Sequence, residues 1–325
     1  MNTSNSLAEK VNLFGKKHKP FFLFVDFDMK QPLLIEPQDL EQENIFVDFP
    51  NYSNYKKTND LKKRIAIKNK YPISFQLYQN GYDIVKKNLM YGNSFLTNYT
   101  CETEIEISHS LYSIFEKSSA KYKIFFKDEW VCFSPETFIK IQGNEIFSFP
   151  MKGTINAQIP NAENIILNDE KEKAEHYTIV DLIRNDLSTV SKNVYVEKFR
   201  YIDKIETERG ALLQVSSIIK GELPSHYHEQ LGNILLALLP AGSISGAPKN
   251  KTIDIIHQAE NYKRDFYTGV AFYYDGALLD SCVLIRFIEK KQNKFFYKSG
   301  GGITIQSDAK KEYQEMIDKI YVPIY

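Results

Sequence analysis

The sequence predicts a mixed α+β fold built on large antiparallel sheets, and three observations carry that prediction. From Tyr122 four short apolar runs, YKIFF, WVCF, FIKI and IFSF, are separated by only a few polar or glycine residues, the pattern of antiparallel strands joined by short turns. Strand-like and helix-like stretches follow no regular βαβ rhythm, so a doubly wound parallel sheet is not expected. No internal repeat or low-complexity segment is present, which sets repeat architectures aside.

Taken in order, the chain starts with a polar stretch and then FFLFVDFD from Phe21, which reads as a buried strand dense in aromatic and branched residues. Asn51 to Lys70, rich in Lys and Asn, reads as a loop or an exposed helix start. A long helix is predicted from an N-cap near Asn168 through DEKEKAEHYTIVDLIRNDL, where Ile179, Leu182, Ile183 and Leu187 recur at helical spacing. HEQLGNILLALL, TIDIIHQAE and DAKKEYQEMIDKI are further helices, while GVAFYYDG, LLDSCVLIRF and KFFYKSG read as strands.

The 325 residues could form one large domain or two modest ones, since single cores rarely grow beyond roughly 250 to 300 residues. The 43% hydrophobic and 25% charged fractions are those of an ordinary globular chain. Basic and acidic residues balance at 41 each without a long single-sign run, so neither nucleic acid nor an anionic membrane is an expected partner. A small molecule is. Cys101, Cys132 and Cys282 are odd in number and widely spaced, against a disulfide framework or a zinc site. The first twenty residues lack the apolar core of a signal peptide, and no stretch approaches the ~18 apolar residues of a membrane span. A reducing cytoplasm is the expected location, which leaves the sequons at Asn51 and Asn98 uninformative.

Three features carry chemistry. Glu172 and Glu175 lie three apart on one predicted helix, as do Glu312 and Glu315 on another, so each pair shares a face. If the faces meet they form an all-oxygen site suited to Mg²⁺; otherwise they are solvated helix faces. PAGSISGAPKNKT from Pro240 and SGGGITI from Ser299 are glycine-rich segments that let backbone approach a ligand, or else a tight turn and a bend in a sheet. Lys152, in FPMKGTI after a strand ending near Pro150, is a surface charge unless an enclosed pocket lowers its pKa and makes it a nucleophile.

In their order, GNSFLTNYT, SPETF, FPMKGT, EKAEHYTIVDLIRNDL, PAGSISGAPK, YTGVAFY, SGGGITIQSD and EYQEMIDK resemble the chorismate-utilising enzyme family, from about Gly92 to the C-terminus. The resemblance implies that family's fold, two large antiparallel sheets packed together and flanked by helices. It implies one catalytic domain over residues 1–325 with a shortened N-terminal part, about 1–75. Members carrying Lys before the Gly-Thr, as at Lys152, are the aminodeoxychorismate synthases; anthranilate and isochorismate synthases usually carry Ala. The implied chemistry is attack of Lys152 on C2 of chorismate as the 4-hydroxyl leaves, then addition of ammonia at C4. Glu136 matches the family's general acid, and Glu172, Glu175, Glu312 and Glu315 its Mg²⁺ carboxylates. Ser243, Tyr267, Arg286, the amides of Gly300 and Gly302, and Lys319 match substrate-contacting positions. No amidotransferase segment is evident, so the resemblance implies ammonia from a separate glutamine amidotransferase subunit.

Two departures stand out. QVSSIIKG places Gln214 where anthranilate synthases have a His, and no LLES-like tryptophan-binding segment is found, so feedback by tryptophan is not expected. Isochorismate and salicylate synthases use a lysine base near the position of Leu96, which cannot do that job. Anthranilate synthase is disfavoured by Lys152 and Gln214 together, and an idle chorismate-binding subunit has only the missing His in its favour.

Overall fold

The run FFLFV is apolar at every position because both of its faces are covered. Strand Phe21–Val25 is buried throughout, and its alternating side chains feed two cores: Phe21, Leu23 and Val25 enter one cluster, Phe22 and Phe24 another. The structure, a computed structural model, describes residues 3–56, 65, 67–205 and 211–323.

Among the described residues the chain forms two nine-stranded sheets, and all strand pairs are antiparallel. The first runs in the order Met151–Asn156, Leu212–Glu222, Glu145–Ser148, Thr137–Gln142, Leu279–Val283, Val270–Tyr274, Phe21–Val25, Leu33–Ile35, with Lys192–Ile205 also paired to Leu212–Glu222. The second runs Gly246–Ala247, Leu96–Ile107, Lys294–Ile303, Phe287–Lys291, Trp130–Ser134, Tyr122–Phe126, Ile45–Phe49, Tyr52–Ser53, with Ile67–Tyr71 paired to Leu96–Ile107.

Phe22 and Phe24 of the first sheet meet Phe126, Trp130 and Phe287 of the second in one core. Trp130 stacks on Phe126 and Phe287 with centroids 4.7 and 5.0 Å apart, and Phe24 meets Phe126 edge-on at 5.5 Å. Helices cover the outer faces. Ile179, Val180, Ile183 and Leu187 of helix Glu170–Ser188 pack with Phe21, Leu23 and Ile139 of the first sheet. Tyr78, Tyr82, Val85 and Leu89 of helix Phe75–Met90 pack with Tyr99 and Cys101 of the second.

Several expectations need correction. The long helix is capped by Asp169, whose carboxylate accepts from the Glu172 amide at 2.9 Å; Asn168 instead ends a separate helix, Ala162–Asn168. LLDSCVLIRF is two strands in different sheets, because the chain leaves the first sheet after Val283 and turns at Arg286, whose φ is 55°. SGGG lies inside strand Lys294–Ile303 rather than after a strand. Within Asn51–Lys70, Tyr52–Ser53 and the start of Ile67–Tyr71 are strand, while 57–64 and 66 lie outside the described residues. Helices Thr3–Lys16 and Phe75–Met90 and the long strands Leu96–Ile107, Lys192–Ile205 and Leu212–Glu222 had no sequence reading. Among the described residues no helix is long and apolar enough to cross a membrane.

Candidate active site

Lys152 owes its direction to an irregular strand. Strand Met151–Asn156 shifts register against Leu212–Glu222 between Met151 and Thr154, and Gly153 sits at φ 87°, a left-handed conformation that glycine adopts without strain. Such a bulge re-aims the neighbouring side chain, and Lys152 lines a cavity of about 260 Å³. Glu136, Lys152 and Gln214 come from the first sheet and its loops; Asn98, Gly300, Gly301 and Gly302 come from the second. The connections between strands add Ser243, from the short helical turn Gly242–Ser245, with Tyr267 and Arg286, and Lys319 caps the last helix. All eight residues expected to act on or contact substrate therefore meet in one cavity. An adjoining chamber of about 260 Å³ with an apolar side formed by Phe95, Leu96, Ile179 and Ile305 shares Glu136, Lys152 and Ser243 with it.

The Lys152 ammonium lies 2.6 Å from Glu175 Oε2. Burial alone would lower its pKa, but the charge and hydrogen bond of Glu175, with Glu172 and Glu315 behind it, outweigh burial, and the pKa is raised. The lowered value expected for a nucleophile is thus not what this arrangement of charges gives. Glu136 shows the shift expected of a general acid: burial pushes its pKa up, opposed by the Ser243 hydroxyl, which donates to Oε1 at 2.7 Å. In this structure the Ser243 hydroxyl is engaged by that carboxylate.

Arg286 donates from Nη1 to the Lys319 carbonyl at 3.1 Å and lies over the Tyr321 ring, 4.7 Å from its centroid. Lys319 bridges Glu315, 2.7 Å away, and the Gly300 carbonyl, to which it donates at 2.8 Å. Tyr267 is buried against Phe287, and burial raises its pKa. Gly300 is required by space: a Cβ there would stand 2.2 Å from the Tyr99 carbonyl oxygen.

The four metal-site candidates flank the cavity in two pairs. Glu172 Oε2 lies 3.1 Å from where a Cβ on Gly153 would be, while Glu312 Oε2 and Glu315 Oε1 lie 3.6 Å from the same point on Gly301. Glu175 and Glu315 are each ion-paired to a lysine. Among the described residues no three His, Cys, Asp or Glu side chains converge into a metal-ligand cluster. The donor set, all carboxylate oxygen beside an open cavity, fits a hard cation that keeps water and completes its shell with an anionic ligand.

Sequence reasoning missed Asn98, Tyr297 and Lys298 in the cavity wall. Asn98 stands in GNSFLTNYT, and Tyr297 and Lys298 immediately precede the SGGG run, so proximity to those motifs was the available signal.

A profile of the chorismate binding enzyme family matches residues 10–324. The chain is 48% identical over 325 residues to an uncharacterized PabA-like protein of Haemophilus influenzae, covering 99% of this chain and 98% of that one. It is 29% identical over 265 residues to aminodeoxychorismate synthase component 1 of Bacillus subtilis, covering 77% of this chain and 55% of that one. In fold it resembles the menaquinone-specific isochorismate synthase of Escherichia coli, with a TM-score of 0.73 at 14% identity, covering 98% of this chain and 80% of that chain. The chain belongs to the chorismate-binding enzyme family. It is related there to aminodeoxychorismate and anthranilate synthases.

Proposed function

We propose that the chain aminates chorismate to 4-amino-4-deoxychorismate with release of water, the reaction of an aminodeoxychorismate synthase component I that feeds para-aminobenzoate and folate synthesis. Ammonia would come from a separate glutamine amidotransferase subunit. The observation that carries the reading is that Lys152 and Glu136 line one cavity, with Arg286 and Lys319 beside them to bind carboxylates. Lys152 forms a bond to C2 while Glu136 protonates the departing 4-hydroxyl; ammonia then bonds to C4, and the lysine leaves C2 with its electron pair. Glu172, Glu175, Glu312 and Glu315 would hold Mg²⁺, which when bound neutralises and orients the ring carboxylate. Attack needs neutral Lys152, so this reading requires the pull of Glu175 to weaken once substrate and cation are in place.

The ion pair of Lys152 with Glu175, 2.6 Å apart, favours a second reading, in which Lys152 stays an ammonium and only binds the anionic substrate. The product would then be anthranilate or isochorismate. Incubation with chorismate, Mg²⁺ and ammonium, followed by chromatography of the products, separates the two. Aminodeoxychorismate that disappears in Lys152→Ala, with a chorismate-derived adduct on Lys152 by mass spectrometry, supports the first; anthranilate or isochorismate as sole product sinks it.

A further inference from the structure

Behind the cavity wall lies a buried ion pair outside the proposed chemistry. Arg264 is 4% exposed, and its guanidinium donates from Nε and Nη2 to both oxygens of Glu260, at 2.8 and 2.6 Å. A buried arginine satisfied by one carboxylate would still have donors to place. Here they go to three separate parts of the wall: the Ile244 carbonyl at 3.1 Å, the Thr268 hydroxyl at 3.2 Å and the Asn98 carbonyl at 2.8 Å. Ile244 follows Ser243, Thr268 follows Tyr267, and all of these residues line the cavity. Glu260 fixes the other side, accepting from the Thr100 amide and hydroxyl at 2.8 and 2.7 Å.

The segment most in need of such a tie is Gly242–Ser245, a single helical turn of four residues. One turn has too few internal hydrogen bonds to hold its own position, yet Ser243 must keep its hydroxyl 2.7 Å from Glu136. The guanidinium is planar, with donors in a fixed fork, so its four partners are held in one geometry.

We propose that Arg264 is a positioning residue for the reaction, acting through the Ile244 carbonyl to hold the Ser243 turn so that Ser243 orients the Glu136 carboxyl toward the substrate. This rests on Glu136 being the acid of the proposed reaction. Glu260 serves as the counter-charge that lets Arg264 be buried.

The test compares Arg264→Lys, Ser243→Ala and the double variant. Lysine keeps a cation for Glu260 but ends in one ammonium that cannot reach three wall segments together. The lysine variant should remain folded at assay temperature by circular dichroism, with kcat for chorismate consumption down about tenfold or more and KM for chorismate changed less than about threefold. The alkaline limb of its kcat profile should move to higher pH, because losing the Ser243 hydrogen bond lets burial raise the Glu136 pKa further. Ser243→Ala should do the same, and the double variant should be no worse than the poorer single one. Multiplying losses, an unmoved alkaline limb, or a crystal structure of Arg264→Lys that retains the Ser243–Glu136 hydrogen bond would each overturn the proposal. If wild type leaves chorismate untouched, the proposed function fails instead, and that crystal structure alone then decides whether Arg264 holds the turn.

Discussion

Lys152 Nζ and Glu175 Oε2 stand 2.6 Å apart, on a bulged strand of the first sheet and on the helix packed over that sheet. The pair opposes the desolvation of Lys152, and its charge balance sets when that amine is available.

Glu175→Gln removes the largest influence holding the proton on Lys152, leaving burial, the largest single effect, opposed only by Glu172 and Glu315. The lysine should lose its proton at lower pH than in wild type. Labelling with an amine-reactive reagent across pH, read by peptide mass spectrometry, should show Lys152 modified at lower pH in the variant; an unchanged profile refutes the charge balance described.

Glu136→Gln should separate activity from stability. Losing a general acid costs about 10² to 10⁴ in rate. The folded-state pKa of Glu136 is raised, so its contribution to stability is complete below pH 4.5 and is lost as pH rises through the folded value. Above pH 4.5 the buried carboxyl loses that contribution, a loss that glutamine, which does not titrate, cannot suffer. Chemical denaturation should find the variant more stable than wild type at pH 7.5 and show no such gain at pH 4.

His176 is fully buried, bonded through Nε2 to Ser217 Oγ at 2.7 Å, and burial, followed by Arg200 and Lys152, lowers its pKa to about 4. A depressed histidine contributes stability above its unfolded value of about 6.5, and that stability is lost as pH falls toward 4. A shift of that size corresponds to roughly 3 kcal/mol. His176→Gln should flatten the loss of stability between pH 6.5 and 4 in urea titrations; an equal acid loss would exclude His176 as its source.

Gly300→Ala forces a methyl to within 2.2 Å of the Tyr99 carbonyl oxygen and 2.6 Å of the Thr100 Cα. Both are backbone of the paired strand, so the sheet must move, at a cost of about 1–3 kcal/mol. Denaturation midpoints should fall accordingly, and KM for chorismate should rise because the wall carrying Asn98 shifts with the strand.

Much of the fold was legible because strand and helix signals are local. FFLFV, YKIFF and WVCFS are apolar at nearly every position and are strands buried on both faces, and Ile179, Ile183 and Leu187 at helical spacing face the first sheet. Less legible were Leu96–Ile107, where TNYTCETE has too many polar residues for a clear apolar run, and Phe75–Met90, whose buried stripe mixes Tyr78, Gly81 and Tyr82 with only two aliphatic residues, Val85 and Leu89. The fault in LLDSCVLIRF has a similar cause: a continuous apolar run does not reveal a left-handed residue at Arg286 or a change of sheet.

By itself the sequence determined which side chains were available for chemistry and, through motifs in a recognisable order, that Lys152, Glu136, Ser243, Tyr267, Arg286 and Lys319 belonged together. The tertiary structure decided their states. Lys152 gains a proton-holding partner 23 residues away in sequence, Ser243 turns to a carboxylate 107 residues away, and Arg264 with Glu260, four apart in sequence and part of no motif singled out there, is buried behind the cavity. Periodicity and capping depend on neighbours along the chain, whereas desolvation and charge–charge coupling depend on what the fold brings within a few ångströms.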